Sequence, residues 1–516
     1  MKLDYKKTIF VGFAFFLICA FWQAYDNTIP LILTNKFGLS QGASGVIMAL
    51  DNILALFMLP LFGAISDKCR HKLGRRTPFI LYGTIIAALA FVGLSLADNM
   101  QLKQIRAVSA IDDPAALTEI YQAEQSATLQ TPDGEKFVLQ EHFTAEDFAA
   151  VRSQRTENGK TMTNPDYTNY VVPARQAYAW NVTRQSTLPL VLFMVLLLIV
   201  LVSMATFRSP AVALMPDVTI KPLRSKANAI INLMGSAGGI LVLVLGMVFA
   251  TSSVKHSLMS YTGYFAVIAG VMLLALVIFR SRVKEPELVK QMKEESRRFG
   301  IAEDDDDDVS GGRKLTGEER RSLFFLLASI VLWFMGYNAV TSKYSVYASN
   351  ILHKDYNLTL IIAQAAAILA YLPVGIVASK IGRKKTIFAG ILMLTTAFGV
   401  ACFLRESSPT MLMNAMFALA GIGWATINVN SFPMVVELCR GGDVGKYTGF
   451  YYTASMAAQT VTPMISGFLM DQLGMTTLFP YATIFVALAF VTMIFVLHGD
   501  NKPTAKKGLE SLDVED

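Results

Sequence analysis

Charge is what this sequence most lacks. Only 16% of its 516 residues are Asp, Glu, Lys or Arg, against about 25% in soluble globular chains. Water is therefore excluded as its main solvent, and 53% apolar residues with a mean hydropathy of +0.45 indicate what replaces it. Histidine is also scarce. His71, His142, His256, His353 and His498 all fall in loops or at the ends of apolar runs, so no histidine relay crosses an apolar layer. The cysteines Cys19, Cys69, Cys402 and Cys439 lie in or beside apolar runs and none in the long polar stretch, which argues against a disulfide framework. No catalytic constellation or metal-ligand spacing is found, so neither an enzyme nor a cofactor or metal is expected. The segment Gly442 to Tyr447 has the wrong glycine spacing for a phosphate loop, and Tyr447 stands where a Mg-binding Ser or Thr is required. The acidic run Glu303 to Asp308 lacks the glycine punctuation of a calcium loop and reads as solvated linker.

What is present is a succession of apolar runs near the roughly 20 residues that span hydrocarbon as a helix. Lipid offers the backbone no hydrogen-bond partners, so long uninterrupted runs cross as helices and not as alternating barrel strands. Twelve spans are expected near 8–33, 42–65, 78–97, 187–213, 225–250, 261–281, 322–348, 357–379, 385–404, 409–433, 446–470 and 476–497. The first run flows into polar residues and Pro30 without a small-residue cleavage site, so it is expected to be retained. Basic residues cluster in alternate short loops, from Lys6-Lys7 and Lys68 to Arg76 through Arg280 to Lys284 and Lys380 to Lys385. The intervening loops carry isolated cations such as Lys36, Lys255 and Arg405. That asymmetry places both termini in the cytoplasm of a multi-pass cell-membrane protein and explains a pI near 8.9 without nucleic acid.

An internal repeat organises the chain. Tyr25-Asp26 matches Tyr337-Asn338, and Gly63 matches Gly375 at the same separation. Leu73-Gly74-Arg75-Arg76 matches Ile381-Gly382-Arg383-Lys384; beyond the third span Asp217 matches Glu437 and Lys226 matches Lys446 at a shorter one. The first half therefore holds an 88-residue insertion between spans three and four, near 98–186 on the outer face. Mixed polarity and turns such as Pro132-Asp133-Gly134 predict a small ordered α+β cap. The expected architecture is all-α: two pseudo-symmetric six-helix bundles at 1–281 and 322–498, a linker at 282–321 and a cytoplasmic tail at 499–516.

Gly63-Ala64-Ile65-Ser66-Asp67-Lys68, followed by Leu73-Gly74-Arg75-Arg76-Thr77-Pro78-Phe79, resembles the signature loop of the major facilitator superfamily. The longer spacing and the ending resemble its sucrose-transporter and glycoside-pentoside-hexuronide branch. So do Arg208-Ser209-Pro210 and Ala213 to Asp217 in span four. The resemblance extends over all the spans but not the insertion. It implies a secondary active transporter whose halves rock about a central site. Gly63, Asp67, Gly74, Arg75, Arg76 and Asp217, with Gly382, Arg383 and Glu437 in the second half, are the expected cytoplasmic gate. Physically, Asp67 can pair with cations, and Arg75 and Arg76 can bond carbonyls or Asp217. The sodium site of the melibiose type in this branch resembles a pair of acids one turn apart in span two; here Asp51 stands alone, a departure that counts against sodium coupling.

Ionisable groups inside spans are expensive and mark function by default. Asp26 and Asp51 are the candidates for proton coupling, and Arg208 for substrate or for holding a nearby carboxylate ionised. Lys343, nearer a span end, is expected to snorkel to the interface. Aromatic faces and amides suit sugar C–H surfaces and hydroxyls, which adds Trp22, Gln23, Tyr25, Asn52, Asn232, Tyr337, Asn338, Gln364, Asn428 and Tyr452. The expected partners are the lipid bilayer and a small solute, a mono- or disaccharide imported with a proton by a monomer. A membrane sensor on the same fold, or an efflux carrier for another small organic solute, are the alternatives.

Overall fold

The computed structural model describes residues 3–157, 160–220, 223–299, 315–438 and 444–498. Its long helices are α1 (Tyr5–Asn35), α2 (Gln41–Met48) continued by α3 (Leu50–Asp67), and α4 (Thr77–Gln104). After α4 come α5 (Pro114–Glu124), β1 (Thr128–Gln130), β2 (Lys136–Val138), α6 (Leu139–His142), α7 (Ala145–Ala150), β3 (Gln154–Glu157), β4 (Lys160–Thr163) and α8 (Val172–Gln185). Then follow α9 (Leu188–Val218), α10 (Arg224–Val248), α11 (Thr262–Arg282) and the short amphipathic α12 (Glu285–Arg298). The second half comprises α13 (Gly317–Tyr347), α14 (Tyr356–Ile381), α15 (Arg383–Ala401), α16 (Thr410–Glu437), α17 (Val444–Leu473) and α18 (Leu478–Ile494). Among the described residues ten helices are long and apolar enough to cross a membrane. The protein is a multi-pass membrane protein, and large apolar side chains such as Leu369 and Phe57, 77% and 69% exposed, face outward where lipid covers them.

Local chemistry sets the helix ends and crossings. Asp4 caps α1 by accepting from the Lys7 backbone N–H, and Thr316 and Glu319 form a reciprocal capping box at α13. Prolines 30, 60, 210, 216, 373, 433 and 463 sit inside long helices, where neighbouring helices tolerate the bend. The small-residue run Gly235 to Gly239 lets α10 approach α1: a Cβ on Gly238 would lie 2.5 Å from the Phe16 carbonyl oxygen. Without side chains at these crossings, dispersion between backbones supplies the packing that hydrophobicity cannot supply in lipid.

Two large apolar cores result. One joins α1, α4, α9, α10 and α11, and the other joins α13, α15, α16, α17 and α18. The halves meet along α1 with α13, α10 with α14, and α2 with α17. The segment between α4 and α9 has its own core around Leu117, Ile120, Phe148 and Tyr167, with two antiparallel hairpins, β1 with β2 and β3 with β4. An ordered α+β cap is thus what these residues form. Its base differs from expectation: α4 continues through Asp98 to Gln104, where Gln101 Nε2 donates to Thr183 Oγ1 at 2.9 Å. The linker is also partly helical, as α12, while the acidic run and the 499–516 tail lie outside the described residues.

Candidate functional site: a cavity between the halves

A cavity of about 1420 Å³ lies between the two halves. From the first half α1 contributes Trp22, Gln23 and Asp26, α9 contributes Arg208, and α10 contributes Asn232; from the second come Tyr337, Gln364, Trp424 and Tyr452. The Tyr337 and Trp424 rings stack at 3.7 Å between centroids with planes 3° apart, a flat apolar wall. In the first half, the Arg208 guanidinium lies 5.8 Å from the Trp22 ring centroid. Gln364 Nε2 donates to Gln23 Oε1 at 2.6 Å, a hydrogen bond that crosses from one half to the other inside the cavity. Glycine at 239 leaves room for both amides, which would meet a Cβ there at 3.4–3.5 Å.

The other expected contacts are distributed differently. Tyr25 faces the first half's core, 1% exposed and stacked on Phe21, because the helical turn that points Trp22 and Asp26 into the cavity points Tyr25 away. Asn52, Asn338 and Asn428 are not among the lining residues. Asn52 instead donates to its neighbour Asp51 at 2.9 Å; Asp51 is also not among the lining residues but is within electrostatic reach of both Asp26 and Arg208. The aromatic Trp424 was missed; one tryptophan in an apolar helix carries no sequence signal of the face it occupies.

At the face bearing the chain termini, the loop motif forms a charge network within the first half. Arg75 Nη2 and Arg76 Nε donate to Asp217 at 2.5 and 2.9 Å, and Arg76 Nη2 also pairs with Asp67. Arg76 further bonds the Ser66 hydroxyl, and Ser66 in turn donates to the Gly63 carbonyl at 2.8 Å. Gly63 lies against α9, where a Cβ would stand 2.9 Å from Ser209 Oγ. Glu285, only 1% exposed, accepts from the backbone N–H groups of Arg75, Arg76 and Thr77 and from the Thr77 hydroxyl at 2.7–2.8 Å for the closest of them. It caps α4 from α12, and its place just after a span disguised it as linker. Gly74 needs its φ of 111° to turn beneath that carboxylate. In the second half Gly382 has the equivalent positive φ, 95°, ahead of Arg383; the Glu437 side chain lies outside the described residues.

On the opposite face, which carries the cap, the halves are bonded directly. Asp471 of α17 accepts from the Gln41 and Gly42 backbone N–H groups at 2.6 Å each, and Lys343 of α13 donates to the Gln41 carbonyl at 2.7 Å. Lys343 does not snorkel: it is 0% exposed, because the first turn of α2 covers it. Lys36 is likewise no isolated loop cation but a fully buried partner of Asp98 at 2.6 Å. The cap adds a further seam, with the Met475 N–H donating to the Pro132 carbonyl at 2.6 Å and the Thr163 N–H to Glu406 at 3.1 Å. Gly134 and Gly474, both at positive φ, face each other there; a Cβ on Gly474 would lie 2.5 Å from the Asp133 carbonyl. The cavity walls, by contrast, run along α3 and α9 to Pro60 and Pro216, close to their ends at the termini face.

The sequence pattern of the Major Facilitator Superfamily matches residues 177–367 and 350–513, and that of the MFS/sugar transport proteins matches residues 10–108. Over 96 residues the chain is 32% identical to the human "Proton-associated sugar transporter A", covering 19% of this chain and 12% of that protein. Over 68 residues it is 35% identical to the "Putative glycoside/cation symporter YagG" of Escherichia coli (strain K12), covering 13% and 15%. The matches therefore span under a fifth of the length of these relatives. The solved inward-open xylose transporter XylE from E. coli superposes with a TM-score of 0.58 over 98% of this chain and 99% of its own, at 16% identity, which is a likeness of fold.

Proposed function

This chain belongs to the Major Facilitator Superfamily and is a transporter, and from that premise we propose that it imports a sugar together with a proton across the cell membrane by alternating access. The observation that carries the sugar reading is the cavity wall: a stacked Tyr337–Trp424 pair in one cavity with amides and a guanidinium. Ring C–H surface packs on the aromatic faces, while hydroxyls bond Gln23, Gln364, Asn232 and Arg208. The relatives named as sugar and glycoside symporters support the same class. A sugar hydroxyl that takes over the Gln23–Gln364 hydrogen bond is held by both halves at once, which links occupancy to their rocking.

In this reading the protein has twelve spans, α14 and α17 completing the ten, with both termini in the cytoplasm and the cap outside. The bonded cap face and the cavity walls reaching the termini face then correspond to an inward-facing state. Asp26 is the coupling acid, since it lines the cavity and its repeat partner Asn338 is neutral; Asp51 is its charged neighbour, and Arg208 in turn neighbours Asp51. The cavity is built by one chain, so a monomer suffices. Uptake of a panel of labelled sugars by proteoliposomes, with and without an imposed pH gradient, tests this. Accumulation of an unmodified sugar that collapses with the gradient is expected. Binding without uptake would instead identify a membrane sensor, and gradient-driven release would identify an efflux carrier.

A further inference from the structure

A second, smaller cavity of about 40 Å³ sits where the cap, the first half and the second half meet. Its wall includes Tyr167 and Arg175 of the cap, Ser253, Ser257 and Tyr261 from the first half, and Asn350 from the second. Arg175 is 5% exposed, yet among the described residues no carboxylate pairs with it. Its Nη1 donates to the Tyr167 hydroxyl at 2.8 Å and its Nη2 to the Ile111 carbonyl at 3.2 Å, while buried Nε has no partner among the described residues. The buried Tyr261 hydroxyl has none among the described residues either.

The nearby acids are committed elsewhere. Asp112 accepts from the Ser153 N–H and hydroxyl at 2.6 and 2.8 Å. Asp355 accepts from Ser252, and from the backbone and side-chain amides of Asn357, at 2.9–3.0 Å. Burying a guanidinium without a counter-charge costs several kcal/mol even after relaxation. A cation in a polar cavity with spare hydroxyl donors is the chemistry that recognises an anion.

We propose that this cavity binds a small monovalent anion of chloride size, held by the Arg175 guanidinium and the Ser253, Ser257 and Tyr261 hydroxyls. The volume suits one monatomic ion or a few waters and is too small for a sugar ring. Because all three parts of the chain line the site, occupancy favours the state in which the cap face is closed.

Thermal unfolding of the purified full-length protein in detergent tests this without reference to transport. Sodium chloride is titrated against sodium gluconate at constant ionic strength. A saturable rise in unfolding temperature of roughly 2 °C is expected in chloride, absent in gluconate and lost in Arg175→Gln. Identical curves in the two salts for the wild-type protein overturn the proposal and leave the cavity to water. Retention of the full chloride response in a folded Arg175→Gln overturns it as well. Should that variant not fold, the wild-type titration alone decides.

Discussion

Replacing Asp471 by Asn should weaken the closed cap face and drive the protein towards the state open on that side. The carboxylate spans the two halves, with one oxygen on the Gln41 N–H and the other on the Gly42 N–H. An asparagine has one acceptor oxygen and no charge, so one charge-assisted hydrogen bond is lost and the other becomes neutral, while Lys343 of α13, bonded to the same first turn of α2, loses its neighbouring negative charge. Hydrogen bonds to charged groups contribute about 1.5–3 kcal/mol. Asp471 is partly exposed, and solvent screening argues for the lower end of that range. About 1.4 kcal/mol is a factor of ten, so the equilibrium between states should move roughly tenfold. Cys19 lines the cavity and can serve as the reporter once Cys69, Cys402 and Cys439 are replaced by Ser. In sealed vesicles of one orientation, a membrane-impermeant maleimide on the cap side should label Cys19 about tenfold faster in Asp471→Asn. If labelling is unchanged while sugar counterflow shows the protein intact, the Asp471 contact is not a latch.

Other substitutions test the remaining parts. Asp26→Asn should abolish pH-driven accumulation yet preserve counterflow, whereas Arg208→Ala should impair both; accumulation that survives Asp26→Asn shifts the assignment to Asp51. Glu285→Ala leaves the α4 backbone donors unsatisfied and should lower stability by about 2–3 kcal/mol, read as a fall in unfolding temperature, and a variant as stable as wild type refutes its capping role. Gln23→Ala and Gln364→Ala should each weaken sugar binding by about tenfold, and equal Kd values would place the sugar elsewhere in the cavity.

The sequence shows spans, repeat and cap because each is written in composition or periodicity, and Arg208 stands out because a charge inside an apolar run is rare. The depth of a residue was legible; its azimuth was not. Trp22 and Tyr25 lie within one turn, yet only one lines the cavity, and helices apolar on every side carry no moment to say which. Lys36 and Lys343 read as interfacial because their partners, Asp98 and the α2 backbone, are brought up by other segments. Glu285 was invisible for the same reason: its ligands are the backbone of residues 75–77, and backbone has no sequence signature.

The seam between the cap and the second half has a consequence for descent. Gly134 and Gly474 occupy each other's space, so a side chain gained at either position meets backbone that cannot retreat while the other contact holds. Neither glycine is free to drift alone. Among descendants of a common ancestor that carry this cap, the two positions should be inherited together or lost together, and a lineage that has shed the cap should show the residue at 474 released to vary.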